Sequence, residues 1–215
     1  MTPLTDTTVA TLRREILSGT LSAGTKLAEA PVAKRLGVSR VPVREALVIL
    51  ANEGLVQFKE TGRSFVKHLS HADFEELYAM RLLLEPAGAR LVGANLGPHL
   101  AALEKNIRET ASVSTVSEVT SLDLDFHELL MMAAGNSRLL RCWRGLRPEM
   151  QLWLGSLHRQ RDFELQDVNR ETVRAHTELL ECMKNGSPAK AEALLRKHIL
   201  GWKLWIANQP GEPVD

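Results

Sequence analysis

This sequence of 215 residues has few cysteines, a small net charge and no long apolar run. The two cysteines, Cys142 and Cys182, have neither the spacing of a disulfide framework nor that of a zinc ribbon, so we expect a reducing cytoplasm. No run of about 18 apolar residues occurs, which argues against a membrane helix. Met1 is not followed by a charged and then apolar leader, so no secretory signal is expected.

The net charge is only +1, which at first argues against a role on nucleic acid, but the charge is unevenly distributed. Residues 1–68 contain ten lysines and arginines against six acidic residues, whereas the remainder contains 17 against 20. Phosphate attraction needs a local basic excess, so the N-terminal part is the candidate DNA-binding region. Apolar residues make up 44%, which argues against disorder and allows one large or two small domains.

Residues 36–47, LGVSRVPVREAL, have the pattern of a tight turn followed by a helix. Gly37 ends one helix, and Ser39 is placed to cap the next. Arg40 and Arg44 are four residues apart, so they lie on one face of that helix. Two exposed arginines at the front of a short helix are typical of a reader of the DNA major groove.

The elements around this segment predict a winged helix-turn-helix in residues 1–69. The first helix is expected after N-caps within residues 5–8, and Gly19 ends it. The second covers residues 29–36, and the third runs to about Asn52. A hairpin follows, with strands at 55–59 and 64–68 and Gly62 at its tip. The alternative is a small α+β domain with an ordinary surface hairpin.

Residues 70–215 show helical periodicity and no strand signal, which predicts an antiparallel all-α bundle of about six helices. Ser70 and Asp73 resemble a capping box at its start. The expected helices run from 70 to about 96, 98 to 112, 118 to 134, 137 toward Arg161, 167 or 169 to 184, and 188 to about 207. Gly145 and Pro148 are placed to kink or split the fourth of these helices.

Ionisable side chains fall on or beside the apolar stripes of this bundle. Asp123 and His127 are four residues apart and share a face, and His176 and His198 lie in phase with apolar residues of two further helices. Hydrogen-bonded core histidines and a surface ion pair are the plain alternatives. A carboxylate with three imidazoles suits a divalent metal ion, zinc first, with nickel, manganese or cobalt as alternatives. A small carboxylate ligand could complete the coordination and pair with Arg81.

The N-terminal motif resembles the DNA-binding domain of the GntR family of bacterial transcription regulators. The resemblance rests on residues 36–47 and on the EGLV segment at 53–56. The helical remainder resembles the FCD effector domain of the FadR-type branch, through the D-x-x-F-H segment at 123–127, Gly135-Asn136 and the later histidines His176 and His198.

The resemblance implies a homodimer on a palindromic operator in double-stranded DNA. Arg40 and Arg44 would contact guanines or phosphates, and Ser39 would contact a phosphate. Gly62 and Arg63 would form the wing contact in the minor groove. Many relatives carry a further DNA-contacting arginine where this chain has Ala30, and the nearby Arg35 is kept as a candidate contact.

In the metal-containing FCD proteins the ligands match Asp123, His127, His176 and His198, and an arginine matches Arg81. The resemblance therefore implies a small organic acid as effector rather than a long-chain acyl-CoA. We predict a DNA-binding transcriptional repressor, not an enzyme, whose operator binding is modulated by that acid. The alternatives are a constitutive regulator with a structural metal site and a metal-dependent hydrolase.

Overall fold

The computed structural model describes residues 3–160 and 165–207, and these residues form two compact units. The first unit contains three helices, a two-stranded hairpin and residues 148–156; the second contains the other helices. The fold is mainly helical, as the sequence predicts. Because residues 148–156 group with the first unit, the units do not divide the chain at a single position. The division into domains 1–69 and 70–215 stays a prediction.

The first unit has the helix order of a winged helix-turn-helix. Its elements are α1 Pro3–Leu17, α2 Glu29–Leu36, α3 Arg40–Asn52, β1 Val56–Phe58 and β2 Ser64–Val66. Helix α1 packs on α3, and α3 packs on α2 and β1. The packed faces bury Leu12, Ile16, Leu47 and Leu50 completely or almost so, and this burial supplies the main stabilisation of the unit.

The predicted N-caps of α1 are wrong, because the helix begins at Pro3, before the threonines. Proline is favoured in a first turn, where its missing N–H is no loss. The hydroxyls of Thr7 and Thr8 donate instead to the carbonyl oxygens of Pro3 and Leu4, one turn back. These threonines are therefore helix residues that satisfy their hydroxyls within the helix.

The turn between α2 and α3 and the wing both follow the predicted pattern. Gly37 ends α2 with φ 67°, a left-handed conformation that glycine adopts without strain. Ser39 occupies the N-cap position of α3, but its side chain makes no cap hydrogen bond, so the predicted side-chain cap is absent. In the wing, Val56 pairs with Val66 and Phe58 with Ser64, and Gly62 turns the chain with φ 71°.

The second unit is an all-α bundle. Its helices are α4 His71–Leu91, α5 Leu96–Ser112, α6 Val116–Ala133, α7 Ser137–Gln160 apart from residues 148–156, α8 Leu165–Asn185 and α9 Pro188–Ala207, with a 3₁₀ turn at Gly93–Asn95. The predicted capping box is confirmed, since Ser70 and Asp73 bond reciprocally at the start of α4.

The packing of the second unit brings α6, α8 and α9 into one neighbourhood. Helix α4 packs on α6 and α9, α5 packs on α6 and α8, and α8 packs on both α6 and α9. Helix α7 is one helix through Gly145 and Pro148, so the sequence pattern does not split it, and its predicted end at Arg161 lies outside the described residues. Among the described residues, no helix is both long and apolar enough to cross a membrane.

Candidate functional site

The four predicted metal ligands lie together inside the second unit. Asp123 and His127 stand one turn apart on α6, His176 lies on α8, and His198 lies on α9. One ligand atom from each side chain can be chosen so that all four atoms lie within 4.8 Å of one another. Three packed helices therefore bring residues that are distant in the sequence into one cluster that could hold a metal ion, and their role as ligands stays a prediction.

The geometry inside the cluster is that of donors facing a common point. Oδ1 of Asp123 lies 3.2 Å from Nε2 of His176 and 3.8 Å from Nε2 of His127. The ring centroids of the three histidines are 5.3 to 5.5 Å apart. Phe126 stacks on His176 at 3.9 Å with an interplanar angle of 8°, which holds that imidazole in place.

Several polar atoms of this cluster are buried and have no hydrogen-bond partner among the described residues. They include Oδ1 of Asp123, Nε2 of His127, both nitrogens of His176, and Nε2 of His198. Each unpaired buried polar group costs about 1–3 kcal/mol, so a group of them in one place calls for a common partner. One oxygen and three imidazole nitrogens are the donor types that divalent zinc prefers. The residues present therefore fit a metal ion.

The protonation states of Asp123, His176 and His198 also match those of metal ligands. Burial lowers the pKa of His176, with Asp123 opposing the shift, and burial lowers the pKa of His198 well below its ordinary value, with the other two histidines adding to the effect. Burial would raise the pKa of Asp123, but contact with His176 and nearby positive charge hold it below its usual range. Neutral imidazoles and an ionised carboxylate are the forms that bind metal.

Glu85 is a part of the site that the sequence analysis did not assign. It is fully buried, and its Oε2 lies 2.6 Å from Nδ1 of His127, a close contact that is not an aligned hydrogen bond. Its Oε1 accepts hydrogen bonds from Nε of Arg81 at 2.7 Å and from Nε1 of Trp143 at 2.9 Å. A carboxylate beside the outer nitrogen of a ligand histidine fixes its tautomer and ring orientation.

Arg81 is buried, as its place in the apolar stripe predicts, and its guanidinium is paired with Glu85 one turn along α4. Burial would lower the pKa of Arg81 and raise that of Glu85, but each charge holds the other ionised. The carboxylate partner that the sequence suggested for Arg81 is thus supplied in part by the chain itself. A role of Arg81 toward an external acid stays a prediction. The i, i+4 spacing of Arg81 and Glu85 is the sequence feature from which this pairing could have been predicted.

The candidate DNA-contacting residues lie in the first unit, and two of them already have acidic partners. Arg40 is exposed, and Arg44 is exposed and bound by Glu29 through two hydrogen bonds. The contact with Arg44 lowers the pKa of Glu29. Arg35 is bound through two hydrogen bonds by Glu15. Neither acidic partner was predicted from the sequence.

A groove in the first unit brings α2, α3 and the wing together. The residues that line it are Lys26, Leu27, Ala28, Glu29, Arg44, Leu47, Phe58, Gly62, Arg63 and Ser64. Gly62 and Arg63 of the wing therefore share a groove with Arg44 of α3. Ser39 stands at the start of α3, with a hydroxyl that the helix does not use.

Comparisons with known proteins match both parts of the chain. The model of the bacterial regulatory proteins of the gntR family matches residues 4–66, and the FCD domain model matches residues 76–201. The gluconate operon transcriptional repressor of Bacillus subtilis (strain 168) is 36% identical over 148 residues, which span 66% of this chain and 60% of that protein. A protein of Paenarthrobacter nicotinovorans named "Probable D-xylose utilization operon transcriptional repressor" is 30% identical over 97% of this chain and 93% of its own.

Solved structures agree with these relatives. A GntR transcriptional regulator from Rhodococcus sp. RHA1 is 25% identical, with a TM-score of 0.78 over 96% of this chain and 98% of its own. McbR/YncC of E. coli has a TM-score of 0.77 over 96% of this chain and 98% of its own at 19% identity, which supports the fold alone. The matching family and the relatives named as repressors are transcriptional regulators rather than enzymes, which contradicts the hydrolase alternative. The chain belongs to the GntR family of bacterial regulatory proteins and carries an FCD domain.

Proposed function

We propose that this protein is a ligand-controlled transcriptional repressor that acts in the bacterial cytoplasm. The winged helix-turn-helix would bind operator DNA, and the helical unit would bind a metal ion and a small organic acid. The observation that carries the proposal is the buried cluster of Asp123, His127, His176 and His198, whose unpartnered donor atoms fit a metal inside an FCD domain. The repressor names of two relatives support the direction of control.

In this proposal Asp123 and the three histidines hold a divalent ion, with zinc as the first candidate. Four protein donors leave room for one or two more if the ion is five- or six-coordinate, and a carboxylate is a suitable donor for such positions. When bound, the ion would supply positive charge and open coordination positions to an anionic ligand. Glu85 would hold the His127 ring so that Nε2 faces the ion.

The effector class follows from the charge around the cluster. Arg81 is a buried cation beside the ligands, and a carboxylate could share its guanidinium with Glu85. The gluconate operon repressor supports a sugar acid or related hydroxy acid, and a dicarboxylate fits the same donors. Effector coupling of this kind is typically worth about 1–3 kcal/mol, which changes operator affinity about 5- to 150-fold.

The proposal includes a homodimer on a palindromic operator, with Ser39, Arg40, Arg44, Gly62 and Arg63 as DNA contacts and Arg35 as a further candidate. Helix α4 carries large apolar side chains on its surface at Met80, Leu83 and Leu91, with exposures of 37%, 67% and 48%. Their spacing of three and eight residues places them on one face. That face is the proposed contact between two copies.

Operator binding with and without acids tests the switch. Operator duplexes are first selected from random DNA, and binding is then measured with sugar acids, hydroxy acids and dicarboxylates, in metal-replete and in chelated protein. We expect at least one acid to weaken binding in the metal-replete protein alone. If metal stabilises the protein but no acid binds or changes operator affinity, the alternative of a constitutive regulator with a structural metal site is correct.

A further inference from the structure

The position of Glu29 is unexpected for a DNA-binding surface. It is the first residue of α2 and lines the groove that Lys26, Arg44 and Arg63 also line. Among the described residues that line this groove, Glu29 is the acidic one. A carboxylate here would repel DNA phosphates. The contact between Glu29 and Arg44 must therefore have a benefit for DNA recognition that outweighs this repulsion.

The contact between Glu29 and Arg44 has a specific geometry. Nε of Arg44 donates to Oε1 of Glu29 at 2.7 Å, and Nη2 donates to Oε2 at 2.9 Å. The carboxylate therefore binds the side of the guanidinium. One N–H of Nη2 and the N–H groups of Nη1 are directed away from Glu29, because the guanidinium is planar and carries five N–H donors. The Arg44 side chain is 69% exposed, so these donors are accessible.

Arg35 shows the opposite geometry in the same unit. Its Nη1 and Nη2 both donate to Glu15, at 2.5 and 2.7 Å. Glu15 therefore occupies the end of the Arg35 guanidinium, which is the edge that would bind a base. The two pairs have similar charges and distances, but only the side-on pair leaves that edge available.

The accessible edge of Arg44 matches one base in particular. Two parallel N–H donors at the end of an arginine bind O6 and N7 of guanine in the major groove, and this contact distinguishes guanine from the other bases. A flexible arginine loses side-chain entropy when it forms such a contact. An arginine that a carboxylate already holds in place loses less side-chain entropy when it binds the base. It also has fewer orientations in which it can contact a phosphate.

We propose that Glu29 is a positioning residue that holds Arg44 in the orientation that reads guanine. The inference rests on the proposed DNA binding by α3. It makes Glu29 a determinant of sequence specificity that lowers non-specific affinity while raising discrimination at one base pair of each half-site.

Selection from a pool of random DNA duplexes tests this role without a known operator. The full-length protein and the variants Glu29→Ala, Glu29→Gln and Arg44→Ala each select sequences, and melting curves check that every variant is folded. We expect Arg44→Ala to abolish the guanine preference at one position per half-site. Both Glu29 variants should reduce the preference at that same position about 3- to 10-fold, with other positions unchanged.

Two further measurements separate positioning from a structural effect. Glu29→Ala should bind unselected duplexes about 2- to 5-fold more tightly than the unmodified protein, which a folding defect would not produce. In the double variant Glu29→Ala/Arg44→Ala, the preference should match that of Arg44→Ala alone. The matched control, Glu15→Ala, breaks the end-on pair with Arg35 and should leave the selected guanine unchanged.

The outcomes distinguish this inference from the proposed function. If the unmodified protein selects no sequence, the proposed DNA reading itself fails. If it selects a site and the Glu29 variants keep the full guanine preference, or lose preference equally at all positions, the positioning role is overturned. The role is also overturned if Arg44→Ala selects the same sequences as the unmodified protein.

Discussion

The substitution Glu85→Gln tests the internal support of the candidate metal centre. It keeps the size of the side chain and removes the charge that pairs with Arg81. Both side chains are almost fully buried, at 5% exposure for Arg81 and 0% for Glu85, so solvent does not screen the loss. Breaking a buried pair by removing one partner costs about 3–5 kcal/mol, which lowers the melting temperature by about 6–20 °C in a chain of this size.

The measurement uses metal-free protein, so that metal binding does not contribute to the melting temperature. Glu76→Gln is the matched control, since Glu76 is an exposed glutamate on the same helix, and its effect should stay within about 0.5 kcal/mol. The double variant Arg81→Met/Glu85→Leu should be more stable than Glu85→Leu alone, because no charge is stranded. A deficit of about 1–3 kcal/mol should remain, since Nε1 of Trp143 loses its acceptor.

Metal affinity provides a second, independent result for the same variants. Loss of the carboxylate beside a ligand histidine typically weakens metal binding about 10- to 100-fold. We therefore expect weaker binding in Glu85→Gln and also in the double variant, although the latter recovers stability. The reasoning is refuted if Glu85→Gln is as stable as Glu76→Gln, or if both Glu85 variants bind metal as tightly as the unmodified protein.

Three further predictions concern the metal, the DNA surface and the dimer. His176→Ala should purify with less metal, measured by elemental analysis, than the control His99→Ala. Chelation should lower the melting temperature of the unmodified protein but not that of His176→Ala. Full metal content in His176→Ala would show that His176 is not a ligand. If Arg40 makes a bidentate base contact, Arg40→Ala should weaken binding to a selected operator about 5- to 150-fold. The control Arg14→Ala, at an exposed position, should not change the affinity. Unchanged affinity in Arg40→Ala would exclude Arg40 as a base contact. Leu83→Asp should convert dimer to monomer by light scattering, whereas Leu4→Asp should not, and a persistent dimer would place the interface elsewhere.

The part of this structure that could be predicted from the sequence is the part that helical periodicity determines. Asp123, His127, His176 and His198 were found because a period of 3.6 residues places each on a buried face, and packed helices then bring such faces together. Helix ends were predicted where glycine or a capping box marks them, as at Gly37 and Ser70. The start of α1 was missed because several threonines offered caps, and Pro3 was not weighed as a first-turn residue.

The residues that the sequence analysis missed share a physical reason. Glu85 contacts His127 on α6 and Trp143 on α7, and Glu29 contacts Arg44 on another helix. Such contacts depend on how helices pack, and the period of one helix carries no information about its neighbour. An exposed acidic residue at the start of a helix also has an ordinary explanation, since it interacts favourably with the helix dipole.

In both candidate sites a carboxylate lies next to the group that would bind the external partner. Glu85 contacts an imidazole whose other nitrogen belongs to the candidate ligand cluster, and Glu29 binds a guanidinium whose outer edge is exposed. Each contact reduces the side-chain entropy that is lost on binding. If the contacted side chain is removed, each carboxylate keeps an unpaired negative charge. Substituting the carboxylate should therefore weaken metal binding at the first site and guanine preference at the second, without abolishing either.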